Sequence, residues 1–180
     1  MGFVFDTDGF DKVMEGLREN YRIYAPVRKT GEGRFTDTDV IRYDFVDTLD
    51  QIELDERSDY SFKEILMPLS ETMFFFTEDE IKEAGFDDRP VIVLARSCDI
   101  HGLKRLDQIY TGNGPNDDWF YERRKDKVKF ALIGCGEACA NSFCVDMGSN
   151  RTDDYIFSID QIDGKIYSDV KDEDLVPVFE

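Results

Sequence analysis

Four cysteines are the residues of this sequence best equipped for chemistry. Three stand in one run, Cys135-Gly-Glu-Ala-Cys139-Ala-Asn-Ser-Phe-Cys144, and Cys98 lies upstream in Ala95-Arg96-Ser97-Cys98-Asp99. Four thiolates are a common shell for tetrahedral zinc or an iron–sulfur cluster. The spacing matches neither the paired C-x2-C of a zinc ribbon nor a ferredoxin run, so both remain open. Reduced thiols gather for redox or metal chemistry more than for disulfides. Cys98 read alone could be a small buried hydrophobe, but that reading leaves the three crowded cysteines unexplained. A catalytic Cys98–His101 pair, using the single histidine, has the same defect. No glycine-rich phosphate loop is present.

These thiols need elements to position them. Val91–Ala95 is a continuous apolar run, as in a strand covered on both faces. A helix is expected over Asp99–Tyr110, a break at Gly112–Pro115, a short helix over Asp117–Lys125 and a second core strand over Val128–Ile133. Strand, helix, helix, strand is the pattern of a right-handed parallel crossover. It predicts an α/β fold, with α+β as the alternative, whose mixed sheet carries the cysteines at its crossover. If the two strands are parallel neighbours, Cys98 and Cys135 emerge together at their C-terminal ends, where open α/β sheets place ligands. Cys98 would also meet the positive end of a helix dipole.

Elsewhere, Asp8 is expected to cap a helix to Asn20 with Phe10, Val13, Met14 and Leu17 inward. Strands are expected at Tyr21–Val27 (ended by Pro26), Thr38–Phe45, Gln51–Leu54 and, buried, Met73–Thr77. Ser61 should open a short helix before Pro68, and Glu78–Ala84 should form a helix closed by Gly85. Gly33-Arg-Phe-Thr-Asp-Thr-Asp39 reads as a capped turn. Tyr155–Ile159 and Lys165–Ser168 read as a hairpin through Asp163-Gly164. Asp172–Glu180 carries no clear element.

The length suits a single domain over residues 1–180. A net charge of −18 argues against nucleic acid and against an anionic membrane surface. No apolar run approaches the roughly 20 residues of a membrane span, and Met1–Phe10 does not resemble a signal peptide. A cytoplasmic location is expected. Residues 96–129 depart from the acidic average, with eight bases against six acids. Cations there would ease the burden of an anionic thiolate cluster.

Arg96-Ser-Cys-Asp-Ile100 through Lys104-Arg-Leu-Asp107, Phe130-Ala-Leu-Ile-Gly-Cys135 and Asn141-Ser-Phe-Cys-Val-Asp-Met-Gly148 resemble the A-subunit family of anaerobic sulfite reductase. Tyr24-Ala-Pro26, Gly33–Asp39 and Glu71-Thr-Met-Phe-Phe-Phe76 extend the resemblance in order along nearly the whole chain. Hydrogenase and sulfur-reductase beta subunits share the Cys98 and Cys144 motifs more loosely. The resemblance implies an electron-transfer component, not catalytic alone, that passes electrons from a flavoprotein partner to a sirohaem catalytic partner reducing sulfite. The strand ends, the count of four thiols and the resemblance together lead to the expectation of an iron–sulfur cluster, [4Fe–4S], held by Cys98, Cys135, Cys139 and Cys144. The alternative is a docking module with zinc or no metal at the thiols. Family members continue into a C-terminal ferredoxin-like region, and this chain is expected to be the N-terminal domain without it. The family pattern has thiols where Ser142 and Cys144 stand. Here position 142 is serine and a cysteine appears at 139, so the count is kept while one ligand has moved.

Overall fold

A computed structural model describes residues 1–35, 37–85 and 87–180. Alternation of apolar side chains across a pleated sheet decides the architecture. Strand β1 (Gly2–Phe5) precedes helix α1 (Thr7–Arg18), and β2 (Arg22–Lys29) and β3 (Val40–Val46) follow. The hairpin β4 (Phe74–Phe76) and β5 (Ile81–Glu83) comes next. Strand β6 (Val91–Arg96), helices α2 (Ser97–Tyr110) and α3 (Trp119–Lys125), and β7 (Val128–Ile133) form the crossover. Strands β8 (Phe157–Ile162) and β9 (Lys165–Asp169) and the short helix α4 (Val176–Phe179) end the chain.

Seven strands form one mixed sheet in the order β1-β9-β8-β7-β6-β2-β3. The pairs β2–β6, β6–β7 and β7–β8 are parallel, while β2–β3, β8–β9 and β1–β9 are antiparallel. The expected α/β fold with a parallel crossover is therefore present. Its two faces carry separate cores. Ile92 and Leu94 of β6 point to the side of α1 and α4, with Phe10, Met14, Leu17 and Phe179. Val91, Val93 and Ala95 point to the side of α2 and α3, with Phe62, Ile100, Leu103 and Tyr121. Burial of both faces explains why β6 is apolar without interruption.

Helix α1 buries the four expected residues, but Asp6 caps it in place of Asp8, its carboxylate accepting from the Gly9 N–H at 2.8 Å. Strand β2 runs through Pro26 rather than ending there. The Pro26 carbonyl accepts from the Glu53 N–H at 2.8 Å. Its missing N–H lies on that same edge, beyond the Arg22–Tyr24 segment that pairs with β6. The expected strand at Gln51–Leu54 is instead a 3-10 turn over Leu49–Gln51. The Gln51 amide oxygen accepts from the Asp47 N–H at 2.7 Å, which curls the chain locally. Ser61 does open a short turn of helix, Phe62–Ile65, of 3-10 type.

The helix expected at Glu78–Ala84 is also overturned: Ile81–Glu83 is a strand paired with Phe74–Phe76. Thr77 closes the hairpin, its backbone N–H donating to the Glu80 carbonyl at 2.8 Å and its hydroxyl accepting from the Glu80 N–H at 3.1 Å. A seven-residue helix has little stability of its own, whereas an adjacent apolar strand offers a ladder. The strand expected at Met73–Thr77 exists but is exposed rather than buried.

The β8–β9 hairpin turns through Asp163 and Gly164, both at positive φ (50° and 73°), as its two-residue loop requires. Two terminal elements gave no clear signal. Phe3 and Phe5 of β1 pack on Phe179 from β9's free edge. The tail, with no element expected, turns at Asp172 into α4 and buries Phe179. In the Gly33–Asp39 loop, Thr36 lies outside the described residues. The Gly33 N–H donates to the Thr38 carbonyl at 2.9 Å, and a Cβ at Gly33 would lie 2.0 Å from the Thr38 hydroxyl. The capped turn therefore requires glycine there. No described helix is long and apolar enough to cross a membrane.

Candidate redox centre at the strand ends

Strands β6 and β7 are in register, Arg96 beside Ile133, so the chain after each emerges at the same sheet end. Helix α2 begins at Ser97, two residues before the start the sequence suggested, which puts Cys98 in its first turn. Gly134 follows β7, and its N–H donates to the Ile159 carbonyl at 3.0 Å. A Cβ there would sit 1.7 Å from an Asp160 carboxylate oxygen. This close approach brings Cys135 out directly above the sheet end.

Beyond it the loop folds on itself. The Ser142 N–H donates to the Cys139 carbonyl at 3.1 Å, with Asn141 between them at φ 61°. The Cys144 thiol donates to the Ser142 hydroxyl at 3.7 Å. Cys139, Ser142 and Cys144 thus share one compact turn. The Ser149 N–H closes it by donating to the Cys144 carbonyl at 2.8 Å.

All four cysteines are free thiols. The Cys98 thiol is pushed up to about 11, first by burial around it, although the residue as a whole is exposed. Asp99, Cys135 and Cys139 add to the shift. Cys98 is therefore protonated at neutral pH, against its use as an unaided nucleophile. Burial likewise raises Asp99, the residue after it.

The sequence did not single out Arg96 as a functional residue. It ends β6, is 8% exposed, and donates from Nη1 to the Cys135 sulfur at 3.3 Å. Its Nη2 donates to the carbonyls of Leu54, Asp55 and Glu56 at 3.0, 2.9 and 3.1 Å. One buried guanidinium thus ties the Cys135 sulfur to the loop after β3. Its signal was local: a charge closing an otherwise apolar strand two residues before a cysteine.

His101 is engaged elsewhere. Its Nε2 lies 2.8 Å from the Arg151 carbonyl and donates to it. With the Lys104–Asp154 ion pair at 2.7 Å it holds the segment after the thiol loop against α2. A cavity of about 340 Å³ opens beside Cys135, lined by Ser97, Gly134, Asn150 and Arg151 among others. A larger hollow of about 450 Å³ lies between Val27–Lys29 and Asp50–Glu53, with none of the four thiols in its lining.

The donors suit an iron–sulfur cluster in chemistry: soft thiols, two of them following neighbouring strand ends, beside a buried cation and a helix N-terminus. Among the described residues no three His, Cys, Asp or Glu side chains already form a metal-holding group. The tight 139–149 turns are where the path would adjust.

No family model matches the chain, and no solved structure matches it. Over 147 residues, 80% of this chain, it is 31% identical to sulfhydrogenase 2 subunit beta of Pyrococcus furiosus. The matched part is 40% of that protein's length. The chain is thus a homologue of a sulfhydrogenase beta subunit, the more loosely matching of the two kinds of protein that the cysteine motifs resembled.

Proposed function

We propose that this domain is an electron-relay module within a multisubunit sulfur-metabolising oxidoreductase of the cytoplasm, and that it is not catalytic alone. The observation that carries this reading is the delivery of Cys98 and Cys135 to one sheet end by neighbouring parallel strands. Cys98, Cys135, Cys139 and Cys144 would hold one [4Fe–4S] cluster, which supplies reversible one-electron transfer when bound. The residues around it have definable tasks. Loading requires the Cys98 proton to leave, since a thiolate is the ligand. Arg96 holds the Cys135 sulfur in place and offsets negative charge. Gly134 permits the approach of the loop, and His101 fixes the far end of that loop.

Within this reading the sulfite reductase assignment is the finer step, supported by the ordered motifs from Tyr24 to Gly148. Electrons would then arrive from a flavoprotein partner and leave to a sirohaem catalytic partner. The homology to a sulfhydrogenase beta subunit supports the broader class. The test is anaerobic purification or reconstitution with iron and sulfide counts and visible absorption. About four irons and four sulfides per chain, with a broad brown absorption, are expected. Colourless protein after reconstitution overturns the cluster. A docking module with zinc at the thiols is the second reading, favoured by a cysteine spacing unlike any ferredoxin run and by the strongly acidic composition, which suits partner recognition. Stoichiometric zinc without iron from anaerobic cells would establish it.

A further inference from the structure

The β4–β5 hairpin belongs to neither core. Phe74, Phe75 and Phe76 are 53%, 60% and 80% exposed, and Ile81 is 78% exposed. Consecutive strand residues point to opposite faces, so Phe74, Phe76 and Ile81 share one face and Phe75 lies beside Lys82 on the other, and both faces are open. A two-stranded hairpin is marginal by itself, and this one is fastened to α3. Arg124 pairs with Glu71, and Arg123 pairs with Glu83 at 2.9 Å. The Arg123 guanidinium also lies 5.1 Å from the Trp119 ring centre, and Trp119 is 55% exposed. Arg123 thus links Trp119 to the hairpin, and the exposed aromatic side chains sit on a held frame. Exposed aromatics grouped in this way mark interaction surfaces.

Charge selects the occupant. Beside Glu71 and Glu83, which pair with α3, and Asp87, which pairs with Arg22 and Arg89, residues 69–88 carry four further acids, Glu78, Asp79, Glu80 and Asp88, and one base, Lys82. Two copies of this chain, each at −18, would oppose like charges around the patch, and an anionic lipid surface would do the same. A different polypeptide with an apolar cleft rimmed by Lys and Arg has the complementary surface. We propose that the β4–β5 hairpin, with Trp119, is the docking surface for such a polypeptide. The proposal rests on the reading of this chain as part of a multisubunit complex and names the surface that joins it.

The complex, isolated anaerobically through a tag on this chain in its native host, provides the test. A photoreactive phenylalanine analogue at Phe75 should cross-link to a different polypeptide, at an apolar segment flanked by Lys or Arg. The double variant F75E/F76E should retain that polypeptide at least about tenfold less, with an unchanged melting curve and unchanged iron and sulfide content. Added salt should weaken retention in the unmodified protein. Cross-links only within this chain, to a second copy, to lipid or to nothing overturn the proposal, as does full retention by the variant. The two readings fail separately: absence of iron and sulfide from the intact complex defeats the cluster and leaves the docking result standing, whereas an iron-loaded complex indifferent to the variant defeats the docking surface alone.

Discussion

Two strands of similar apolar character have opposite fates. Val91–Ala95 of β6 is buried on both faces between two helical layers, while Phe74–Phe76 of β4 is exposed on both. Both read as core strands. The difference lies in what remains to cover them: β6 sits between β2 and β7 in the sheet, while among the described residues β4 pairs only with β5. Hydrophobicity specifies that a surface will be covered and leaves open by what. Inside the chain it gives stability, and outside it gives recognition.

The comparison breaks most sharply by truncation. Ile92→Ala, at a fully buried site, should cost about 2–5 kcal/mol in urea unfolding. Phe76→Ala should stay within about 0.5 kcal/mol, because its side chain loses little burial. A comparable loss at both sites would mean that the hairpin is part of the folding core.

The next effect tests the end of β6, where the buried strand becomes a site. Arg96→Met should cost roughly 2–3 kcal/mol, since it removes charge-assisted bonds and leaves the Leu54–Glu56 carbonyls short of a donor. In cluster-loaded protein it should also lower the reduction potential, because a cation and a hydrogen bond to the Cys135 sulfur are lost. An unchanged potential in a redox titration would place Arg96 in a purely structural role.

The thiol loop lies between the two regions in burial, and its chemistry should be separable from stability. Cys139→Ser should leave the apo fold unaltered while lowering iron and sulfide content. Cys139→Ser with Ser142→Cys should restore both, because Ser142 already touches Cys144 and turns back on Cys139. Full iron content and an unchanged spectrum in the single variant would make Cys139 a bystander.

The smallest effect concerns the sheet surface. The Lys129 ammonium, 2.8 Å away, holds Asp172 below the usual carboxylate range. A carboxylate lowered in the folded state contributes stability that is present above its unfolded pKa of about 3.9 and lost as pH falls through the folded value. Lys129→Met should therefore cost at most about 1 kcal/mol at neutral pH, allowing for solvent screening, and the cost should vanish in acid. An equal cost at pH 7 and pH 2 would assign the effect to packing on Tyr21, which the ammonium also faces.

Sequence alone determined what local physics controls. The inward stripe of α1, the two-residue turn at Asp163-Gly164 and the order of strand, helix, helix and strand all follow from periods and turn chemistry spanning a few residues. The crossover even anticipated that Cys98 and Cys135 follow neighbouring strand ends, because a right-handed connection between neighbouring parallel strands leaves little choice. Tertiary structure decided the rest. Strand β1 exists because β9 offers an edge more than 160 residues later in the chain. Ile81–Glu83 became a strand because Phe74–Phe76 offered a ladder, and Gln51–Leu54 did not because its Gln51 side chain curled the backbone. Arg96 became part of the site only when the loop after β3 brought three carbonyls to its guanidinium. Each of these outcomes depends on which donors, edges and apolar faces are still free after the sheet assembles, and that remainder belongs to the whole fold.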